Sequence, residues 1–505
     1  MSLESNHDGA EHEQLEGARK HFRFRPERLR TEGFTIRPTC TFWVEGAQFG
    51  PVEVRDISST GFAFSLPTLS GIEPGARLET CRIQHREVEL WSGEAVVIHA
   101  GEGEEVRIGA ALRGRIFDVE ELRFVDQDLE KGLAESLQQI ESWAGLLPDE
   151  WRAKVASVRQ YLEQVRESLE ALEASRQPAG WWRQAGVAGP LCERIFRRWY
   201  PPYSALCAEL DAMSAGFDTP LRKAAEAYVQ TELVPSYLPC PMHGRAWEKP
   251  LGYAGDYRLM ELGQMDELEG DSLYARFLHH VGKECSFGAT VTARGITARQ
   301  TAREVIEAAT RPVRIVSLAC GPAVEMRRLF QEIPAVPQPV ELILIDQDAQ
   351  ALRDCHDALA AVLRARWPED CPVTLHCLHF SLRQIVAPKK GAEAALVAEV
   401  LHDVDLIYSM GLYDYILQPL ARRIVTCLYG MLAPGGRVFI GNLHRVPDCS
   451  WVMDYALAWH LVYRTEDEML DLAGEIDPPP ARAQVTRDAT ENCLFLDVER
   501  PAAGA

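Results

Sequence analysis

The chain has 505 residues, of which 47% are hydrophobic and 25% charged, the composition of an ordinary globular protein of about three domains. Its 53 basic and 74 acidic side chains give a net charge of −21, which disfavours DNA or RNA as a partner because phosphate would be repelled. The 13 cysteines include no CxxC spacing, and no apolar run reaches the ~20 residues of a membrane-spanning helix. We expect a cytoplasmic protein with reduced thiols, no metal site and no membrane span; its oligomeric state stays open.

The N-terminal part of the chain alternates apolar and polar residues. Residues 1–18 are polar and acidic and are expected to form a disordered tail. Between residues 19 and 118, short alternating runs such as Thr39–Val44, Val52–Ile57 and Gly61–Leu66 are separated by glycines and prolines. Alternation with a period of two indicates strands that bury one face, so this segment predicts a small β-barrel or sandwich.

Two motifs in this segment contain residues suited to a guanine nucleotide. Asp56–Gly61 matches DxSxxG, and Arg19–Arg23 matches RxxxR. Arginine forks bind phosphate oxygens and the O6/N7 edge of guanine. The segment resembles the PilZ family, small barrels that bind the bacterial messenger cyclic di-GMP. The resemblance implies cyclic di-GMP as a regulatory ligand, held by Arg19, Arg23, Arg25, Arg28, Asp56, Ser58 and Gly61.

The middle of the chain is predicted to be helical. Residues 119–180 are rich in Glu, Leu, Gln, Ala and Arg, with apolar residues at helical spacing, and indicate a helical linker. Residues 181–310 are also mostly helical and are expected to form a cap. The stretch Lys249–Tyr257 interrupts this pattern with two glycines, a proline and two tyrosines, and predicts a shaped loop that carries function.

From residue 311 to 505, apolar strands alternate with helical segments. The predicted strands are Val313–Leu318, Glu341–Ile345, Val373–Leu378, Val404–Tyr408, Arg437–Ile440, Gln484–Thr486 and Cys493–Val498. Repeated β-α units predict a parallel sheet with right-handed crossovers. The expected fold class is therefore multidomain, with a small N-terminal β-barrel, a helical middle region and a C-terminal α/β Rossmann-like domain with a seven-stranded sheet.

The ends of the first two of these strands indicate a nucleoside cofactor. The loop Ala319–Ala323 consists of small residues, which would let a ligand approach the backbone closely. Its single glycine, Gly321, differs from GxGxxG and argues against a dinucleotide. Asp346, 25 positions later, is placed to accept hydrogen bonds from ribose hydroxyls; the alternative is a merely solvated strand-end acid.

The segments Ile315–Pro322, Leu342–Asp346, Asp405–Gly411 and Leu432–Phe439 resemble the class I S-adenosylmethionine-dependent methyltransferases. The resemblance implies that Asp346 holds the ribose of S-adenosylmethionine, that Ala319 and Gly321 face its methionine part, and that Phe380 and Ser381 lie beside its adenine. The expected cofactor contacts from the sheet are Ala319, Gly321, Pro322, Asp346, Gln347, Phe380, Ser381, Ser409 and Gly411.

A closer resemblance covers about residues 190–500. The loops Lys249–Tyr257 and Ala319–Ala323 and the stretch Asp454–Arg464 look like a bacterial methyltransferase family that makes the methyl ester of 3-hydroxypalmitic acid. It implies a small fatty or hydroxy acid as substrate. The cap is expected to add four cofactor contacts: Tyr253, Asp256, Tyr257 and Arg294. Asp256 would bind the amino group, a tyrosine would cover the cofactor, and Arg294 would pair with a carboxylate or lie on the surface.

Candidate catalytic side chains follow the fourth and fifth strands. His444 is the candidate base because a neutral imidazole accepts a proton near neutral pH, although a structural hydrogen bond is the alternative. A carboxylate acceptor needs no base, whereas a hydroxyl acceptor does. Tyr413 and Tyr415 would shape the acceptor site or pack behind the strand.

Aromatic residues also recur at four-residue spacing near the C-terminus, at Trp451, Tyr455, Trp459 and Tyr463. This spacing predicts a buried helical stripe, with an apolar acceptor tunnel as the alternative. The sequence as a whole predicts a methyltransferase for a small acid, regulated by cyclic di-GMP. The alternative is a catalytically inactive, messenger-responsive adaptor that keeps the cofactor-binding fold.

Overall fold

The structure is a computed structural model that describes residues 28–503 except 35, 68–71, 86–87, 102–104, 115, 120, 123–142, 144 and 265. The predicted tail and the predicted ligand residues Arg19, Arg23 and Arg25 lie outside the described residues. The described residues form two compact units. One runs from residue 28 to residue 145 and includes Lys249–Tyr253, and the other contains Leu146–Glu248 and the chain from Ala254 onward.

The first unit is a β-barrel. Its strands are β1 (Leu29–Arg30), β2 (Thr39–Val44), β3 (Ala47–Ser58), β4 (Gly61–Pro67), β5 (Arg77–His85), β6 (Val88–Ala100) and β7 (Glu105–Arg113). Six of them close a ring in the order β3-β2-β5-β6-β7-β4 through antiparallel pairs, because β4 also pairs with β3, and the short β1 pairs with β3 outside that ring. Closure removes free strand edges. The predicted barrel is thus confirmed.

The inward-facing residues of the barrel explain its strand pattern. Phe42, Phe62 and Phe64 are fully buried and pack with their ring centroids 5.1–5.6 Å apart. Because side chains alternate along a strand, these aromatics account for the alternation seen in the sequence. Gly61 is required for a different reason, since a Cβ there would lie 2.7 Å from the carbonyl oxygen of Ala110 on β7.

The second unit begins with seven helices. They are α1 (Asp149–Ala174), α2 (Ala188–Ser214), α3 (Thr219–Tyr237), α4 (Pro241–Glu248), α5 (Tyr257–Gln264), α6 (Leu273–Glu284) and α7 (Ser286–Glu307). Their apolar faces pack on one another, as shown by Trp151, Val155, Val158 and Leu162 of α1, which are fully buried. Within the described part of the chain, none of the helices combines the length and apolar character needed to cross a bilayer.

A seven-stranded sheet with flanking helices follows. Its elements are β8 (Val313–Leu318), α8 (Val324–Glu332), β9 (Val340–Asp346), α9 (Ala349–Arg366), β10 (Val373–His379), α10 (Leu382–Val386), α11 (Ala392–Val400), β11 (Val404–Ser409), α12 (Gln418–Gly430), β12 (Leu432–Leu443), α13 (Pro447–Trp451), α14 (Glu466–Asp471), β13 (Arg482–Arg487) and β14 (Cys493–Glu499). The predicted strand Val313–Leu318 is confirmed to the residue as β8.

The strand order of this sheet is β10-β9-β8-β11-β12-β14-β13. The first five strands are parallel, and β14 and β13 form an antiparallel hairpin at one edge. The central strands are apolar on both faces, as expected for a sheet covered by helices. The order reverses between β8 and β11, so the carboxyl ends of β8, β9 and β11 meet where such folds bind ligands. The predicted Rossmann-like fold is confirmed.

The fifth predicted strand, Arg437–Ile440, is only part of the observed strand. Pro434–Gly436 lies inside β12, which begins at Leu432, and the pairing with β11 shifts register between Val404 and Leu406. Gly435 has a φ of +79°, and a Cβ on Gly436 would lie 2.5 Å from the carbonyl oxygen of Val404. The two glycines therefore accommodate a bulge in a long strand.

Candidate functional site

The loop after β8 has an unusual backbone that leaves its outer side open. Ala319, Gly321 and Ala323 have φ values of +53°, +50° and +42°, a region that favours glycine. Ala319 is exposed, and Pro322 is half-buried. The nearest atom to a Cβ on Gly321 would be the Cβ of Tyr257, at 3.8 Å. A ligand can therefore approach the loop along the glycine.

Asp346 ends β9 and holds this loop in place. Its Oδ2 accepts a hydrogen bond of 2.9 Å from the backbone N–H of Gly321, and its Oδ1 accepts one of 2.9 Å from Asp348. Burial raises the pKa of this carboxyl, and the two N–H donors oppose that shift. A carboxylate offers about four acceptor positions, so two remain for a diol such as ribose.

The loop before α5 contributes a second buried carboxylate. Asp256 is 1% exposed, and its Oδ1 accepts from Arg245 Nε at 2.7 Å and from the Leu259 N–H at 2.9 Å. Its Oδ2 is buried without a hydrogen-bond partner among the described residues. A buried charged oxygen without a partner is costly, and a cationic group of a ligand would relieve that cost.

Tyr257 and Gly255 join this loop to its surroundings. The hydroxyl of Tyr257 donates to Asp354 Oδ2 at 2.9 Å, and its pKa is raised to about 12 by burial and by that carboxylate. A Cβ on Gly255 would lie 2.3 Å from the Tyr415 hydroxyl oxygen and 3.0 Å from Trp459. Tyr253 is half-buried and groups with the first unit. Tyr257 thus lies beside the Gly321 loop, and Asp256 precedes it in the chain.

At the end of β11, a buried arginine is paired with an acid. Arg294 is 7% exposed and donates to Asp414 Oδ2 at 3.2 Å, and Asp414 Oδ1 accepts from the Leu443 N–H at 2.7 Å. Burial raises the pKa of Asp414, and Arg294 opposes that shift. A Cβ on Gly411 would lie 3.3 Å from the Arg294 guanidinium. Arg294 is therefore buried and not on the surface, and its place in the site stays a prediction.

Two predicted site residues near this pair have unsatisfied hydroxyls. Ser409 is 1% exposed and Tyr413 is fully buried, and neither hydroxyl has a hydrogen-bond partner in the described part of the protein. Burial raises the pKa of both Tyr413 and Tyr415. The Tyr415 hydroxyl accepts from Trp459 Nε1 at 3.0 Å. Tyr413 therefore packs behind the strand, whereas Tyr415 reaches the loop at Gly255.

His444 is held by its neighbours in one orientation. Its Nδ1 lies 3.0 Å from the backbone carbonyl oxygen of Arg464, and that oxygen can only accept. The proton of a neutral ring is therefore on Nδ1, which leaves Nε2 with a lone pair. Arg464 itself is 2% exposed and donates to Gln418 Oε1 at 2.8 Å and to the backbone of Tyr413. His444 keeps the tautomer that a base needs.

Some of the polar groups predicted to lie beside the adenine already form hydrogen bonds within the protein. The Ser381 hydroxyl and N–H each donate 2.9 Å bonds to Gln384 Oε1, so Ser381 starts α10 as a helix cap. The spacing of Ser381 and Gln384 in the sequence is a capping-box signal that would have indicated this. The carbonyl of Gln347 accepts from His379 Nε2 at 2.8 Å, and Phe380 is half-buried beside it.

An apolar cavity lies among the helices, and Trp459 is the one member of the aromatic series, for which the sequence left an apolar tunnel as the alternative, that lines it. The empty space inside it and in the solvent at its mouth adds up to about 660 Å³. Aromatic and aliphatic side chains from α2, α3, α4, α5, α6, α7 and the segment after β12 line it. Trp459 lies in its wall and contacts Phe287 with ring centroids 5.2 Å apart. The predicted aromatic stripe is wrong as a single helix, because the helical turns end at Ala456. Trp451 and Tyr455 are core, as predicted, and Trp459 faces the cavity.

In the barrel, the DxSxxG motif lies on β3 and the following turn. Asp56 is 4% exposed; its Oδ1 accepts from Arg28 at 2.6 Å, and its Oδ2 pairs with Arg107. The Ser58 hydroxyl donates to the Gly61 carbonyl at 3.1 Å. These polar groups already have protein partners, and Arg107, whose side chain is 57% exposed, was missed because it lies outside both motifs.

No family model and no curated protein matches the chain. Several solved structures are similar to it. A possible exported protein of Bordetella parapertussis has 16% identity and a TM-score of 0.40, over 60% of this chain and 95% of its own. The magnesium protoporphyrin IX methyltransferase of Synechocystis PCC 6803, with bound SAM, has 8% identity and a TM-score of 0.32, over 57% and 99%.

The N-methyltransferase NodS of Bradyrhizobium japonicum WM9, in complex with S-adenosyl-L-homocysteine, has 13% identity and a TM-score of 0.29, over 48% of this chain and 98% of its own. Likeness at this level leaves activity and substrate to the residues of the site itself. Those residues fit an S-adenosyl cofactor by their chemistry, since Asp346 suits a ribose diol and the free oxygen of Asp256 suits an ammonium group.

Proposed function

We propose that this protein is an S-adenosylmethionine-dependent methyltransferase that acts on a small apolar acid. The observation that supports this most directly is a pair of buried carboxylates: Asp346, which bonds Gly321, and Asp256, which precedes the residue that contacts Gly321. Asp346 is held by two backbone N–H groups at the tip of β9, and Asp256 keeps one oxygen without a partner among the described residues. A nucleoside with an ammonium group matches both.

The side chains of this protein would bind and orient the reactants. S-adenosylmethionine, when bound, supplies an electrophilic methyl group on a cationic sulfur. Asp346 accepts hydrogen bonds from the ribose, and Asp256 Oδ2 accepts from the amino group. A carboxylate acceptor attacks without a base, and the main contribution of the protein is then alignment and exclusion of water. For a hydroxyl acceptor, the free Nε2 of His444 is the candidate to take up the proton.

Calorimetric titration with S-adenosylmethionine and a labelled methyl-transfer assay test this proposal in two steps. We expect saturable one-to-one binding, and labelled methyl ester from a panel of fatty and hydroxy acids. Binding without any labelled product across the panel would favour the alternative of an inactive adaptor. Failure to bind the cofactor would overturn both, because each rests on the Gly321–Asp346 site.

The barrel is the proposed sensor of cyclic di-GMP. The observation that favours it is the cluster of Arg28, Asp56 and Arg107, in which one buried carboxylate orients two arginine forks. Such forks are suited to phosphate and guanine. We expect cyclic di-GMP to bind the wild type and to bind Arg28→Ala about tenfold more weakly, the usual cost of one charge-assisted hydrogen bond.

Arg77→Ala is the matched control for this titration. Arg77 is also a barrel arginine paired with an acid, Glu94, but its side chain is 68% exposed and far less constrained. Its loss should leave messenger affinity unchanged. Regulation is tested separately, by measuring methyl transfer with and without saturating cyclic di-GMP. An unchanged rate would reject regulation and leave both binding proposals in place.

A further inference from the structure

The apolar cavity has two thiols in its wall. Cys285 and Cys449 both line it; Cys285 is partly exposed, and Cys449 is 7% exposed. Neither is in a disulfide, and the two thiols hydrogen-bond each other. Because the two sulfur atoms are already in contact, a small movement of the side chains is enough to join them in a bond. The cavity wall therefore contains a dithiol that can be oxidised to a disulfide.

The two thiols differ in their surroundings. Cys285 is the N-cap residue of α7, a helix of 22 residues, and its sulfur accepts a hydrogen bond of 3.5 Å from the Gly288 N–H. The hydrogen bond from Cys449 lowers the pKa of the Cys285 thiol, and the Gly288 N–H acts in the same direction, against burial. The same contact with Cys285 and burial raise the pKa of the Cys449 thiol. Cys285 is therefore the thiol that ionises, and Cys449 stays protonated beside it.

The other groups of the wall favour an uncharged visitor. Besides the thiols and tyrosines, two of the lining side chains can carry a charge, Asp448 and His243. Asp448 Oδ2 accepts from the hydroxyls of Tyr200 and Ser286, each at 2.9 Å. Burial lowers the pKa of His243 to about 4, so its ring is neutral, and its Nδ1 has no hydrogen-bond partner among the described residues. A wall with one carboxylate and no cation among its lining residues selects an uncharged, apolar molecule over an anion.

We propose that Cys285 and Cys449 form a reactive dithiol site that is oxidised to a disulfide by an apolar organic hydroperoxide bound in the cavity. First, the Cys285 thiolate attacks the terminal peroxide oxygen and the O–O bond breaks. The leaving alkoxide takes up the proton that Cys285 released and becomes an alcohol, while Cys285 becomes a sulfenic acid. The Cys449 thiol then attacks the sulfur of the sulfenic acid, and the disulfide and one water form. Two thiols are oxidised and one hydroperoxide is reduced.

The barrel contains another pair of thiols, which lacks these features. Cys40 and Cys81 are fully buried, and their sulfur atoms are 3.3 Å apart. Burial raises the pKa of Cys40, and neither residue lines the cavity. Contact between two sulfur atoms is therefore common to both pairs, whereas the lowered thiol pKa and the cavity belong to Cys285 and Cys449. This makes the barrel pair an internal control.

Oxidation of the reduced full chain by cumene hydroperoxide tests the inference. The two are mixed in equimolar amounts, free thiols are blocked with N-ethylmaleimide at intervals, and the peptides are mapped by mass spectrometry. We expect the disulfide of Cys285 and Cys449 to form at least about tenfold faster than that of Cys40 and Cys81, because one pKa unit changes the thiolate fraction about tenfold. Equal rates, or no disulfide between Cys285 and Cys449, would overturn the inference. This comparison needs no variant.

Hydrogen peroxide tests the choice of an apolar oxidant. Cys371 and Cys377 are exposed and provide reference thiols. The ratio of the oxidation rate with cumene hydroperoxide to that with hydrogen peroxide should be at least about fivefold higher at Cys285 than at the two reference thiols, because the cavity would concentrate the apolar reagent. The same ratio at all three thiols would overturn the assignment of an apolar hydroperoxide as the oxidant.

Three substitutions assign the steps. In Cys449→Ser the serine hydroxyl can still donate to Cys285, but oxidation should stop at the sulfenic acid, which dimedone labels. Cys285→Ser should leave Cys449 reduced, since the pKa of that thiol is raised. Cys81→Ser is the matched control and should leave the rate of the cavity disulfide unchanged. Oxidation of Cys449 at the wild-type rate in Cys285→Ser would overturn the assigned order, and unfolding temperatures show whether each variant keeps the fold.

The outcomes separate this inference from the proposed function, because no step of the oxidation needs the cofactor or a methyl acceptor. Methyl transfer without oxidation of Cys285 would reject this inference alone. Formation of the cavity disulfide without any methyl transfer would reject the proposed function alone.

Discussion

The two proposed sites differ in how their buried acids are satisfied. In the barrel, each oxygen of Asp56 is paired with an arginine, and Ser58 bonds the turn that follows it. At the sheet, Asp256 Oδ2 and the hydroxyl of Ser409 are buried without partners in the residues that the structure describes. The barrel site is complete by itself, whereas the sheet site lacks groups that a ligand would supply.

This difference indicates which protein contacts are lost at each site when a ligand binds there. A ligand at the barrel must compete with existing ion pairs, so part of its interaction energy replaces contacts that the protein already has. A ligand at the sheet satisfies atoms that are otherwise desolvated, so its contacts are gained nearly in full. Substitutions should therefore affect folding in the barrel and ligand affinity at the sheet.

The largest effect is expected from Gly321→Asp. It places a second carboxylate beside Asp346 on the side where the ligand would approach, so cofactor affinity should fall by more than about 100-fold, or 2.7 kcal/mol. Calorimetric titration with S-adenosylmethionine measures this.

Gly186→Asp is the matched control for that substitution. Gly186 also has a positive φ, of +78°, and nothing lies within 4 Å of its added Cβ. Gly186→Asp therefore has a similar free-energy cost from a non-glycine residue at positive φ, but it lies away from the proposed site. Its affinity for the cofactor should equal that of the wild type. Equal affinity in both variants would mean that the pocket is elsewhere.

The barrel should respond to Asp56→Ala through its stability. Removal of this 4%-exposed carboxylate leaves Arg28 partly buried without its partner, which should cost about 2–4 kcal/mol. Hydrogen exchange of the β3 and β4 amides measures that loss locally. Glu94→Ala removes the acid of an exposed pair and should cost less than about 0.5 kcal/mol. If Asp56→Ala and Glu94→Ala lowered the stability of the barrel by a similarly small amount, the proposed role of the buried Asp56 carboxylate would be contradicted.

A pH effect of intermediate size is expected from His243. Because its pKa is about 4 in the folded protein, below an ordinary value of 6.5, the unfolded chain binds more protons between those values. Its contribution to stability is complete above pH 6.5 and is lost as the pH falls towards 4. His243→Asn should flatten the stability curve in that window by about 2 kcal/mol, as measured by urea unfolding at several pH values. Parallel curves would contradict the depressed pKa.

The smallest effect should come from Asp256→Asn. The amide can still accept from Arg245, but it offers an N–H₂ group or a neutral oxygen to the amino group of the cofactor. S-adenosylmethionine affinity should fall about tenfold. Methylthioadenosine, which lacks the amino acid part, should bind both proteins equally. An equal loss for both ligands would mean that Asp256 acts only by holding its loop.

Local patterns in the sequence were enough to predict much of the fold. The apolar run Val313–Leu318 and the helical spacing of Ala349–Arg366 fix β8 and α9, because neither depends on distant contacts. The extent of β12 could not be predicted, since Pro434–Gly436 favours a turn locally and becomes strand only through pairing with β11.

The proposed site could be predicted in part. Gly321 and Asp346 were selected because strand ends and small residues carry a local signal, and the structure joins them by a hydrogen bond. His243 gave none: a single histidine in an amphipathic helix is ordinary, and its missing partner becomes evident only when α3, α4 and α6 pack around it. The full burial of Tyr413 likewise could not be predicted, because it depends on packing with distant parts of the chain, and its role at the site stays a prediction.

Helix α4 is eight residues long and carries two side chains that contact different surroundings. His243 lines the apolar cavity and Arg245 donates to Asp256, so a displacement of this helix would move both side chains. We therefore expect ligands at the two places to bind in a coupled way. Each would change the dissociation constant of the other by the same factor. This coupling is the same whichever reactant binds first, so it would appear as a shift in one dissociation constant when the other reactant is present.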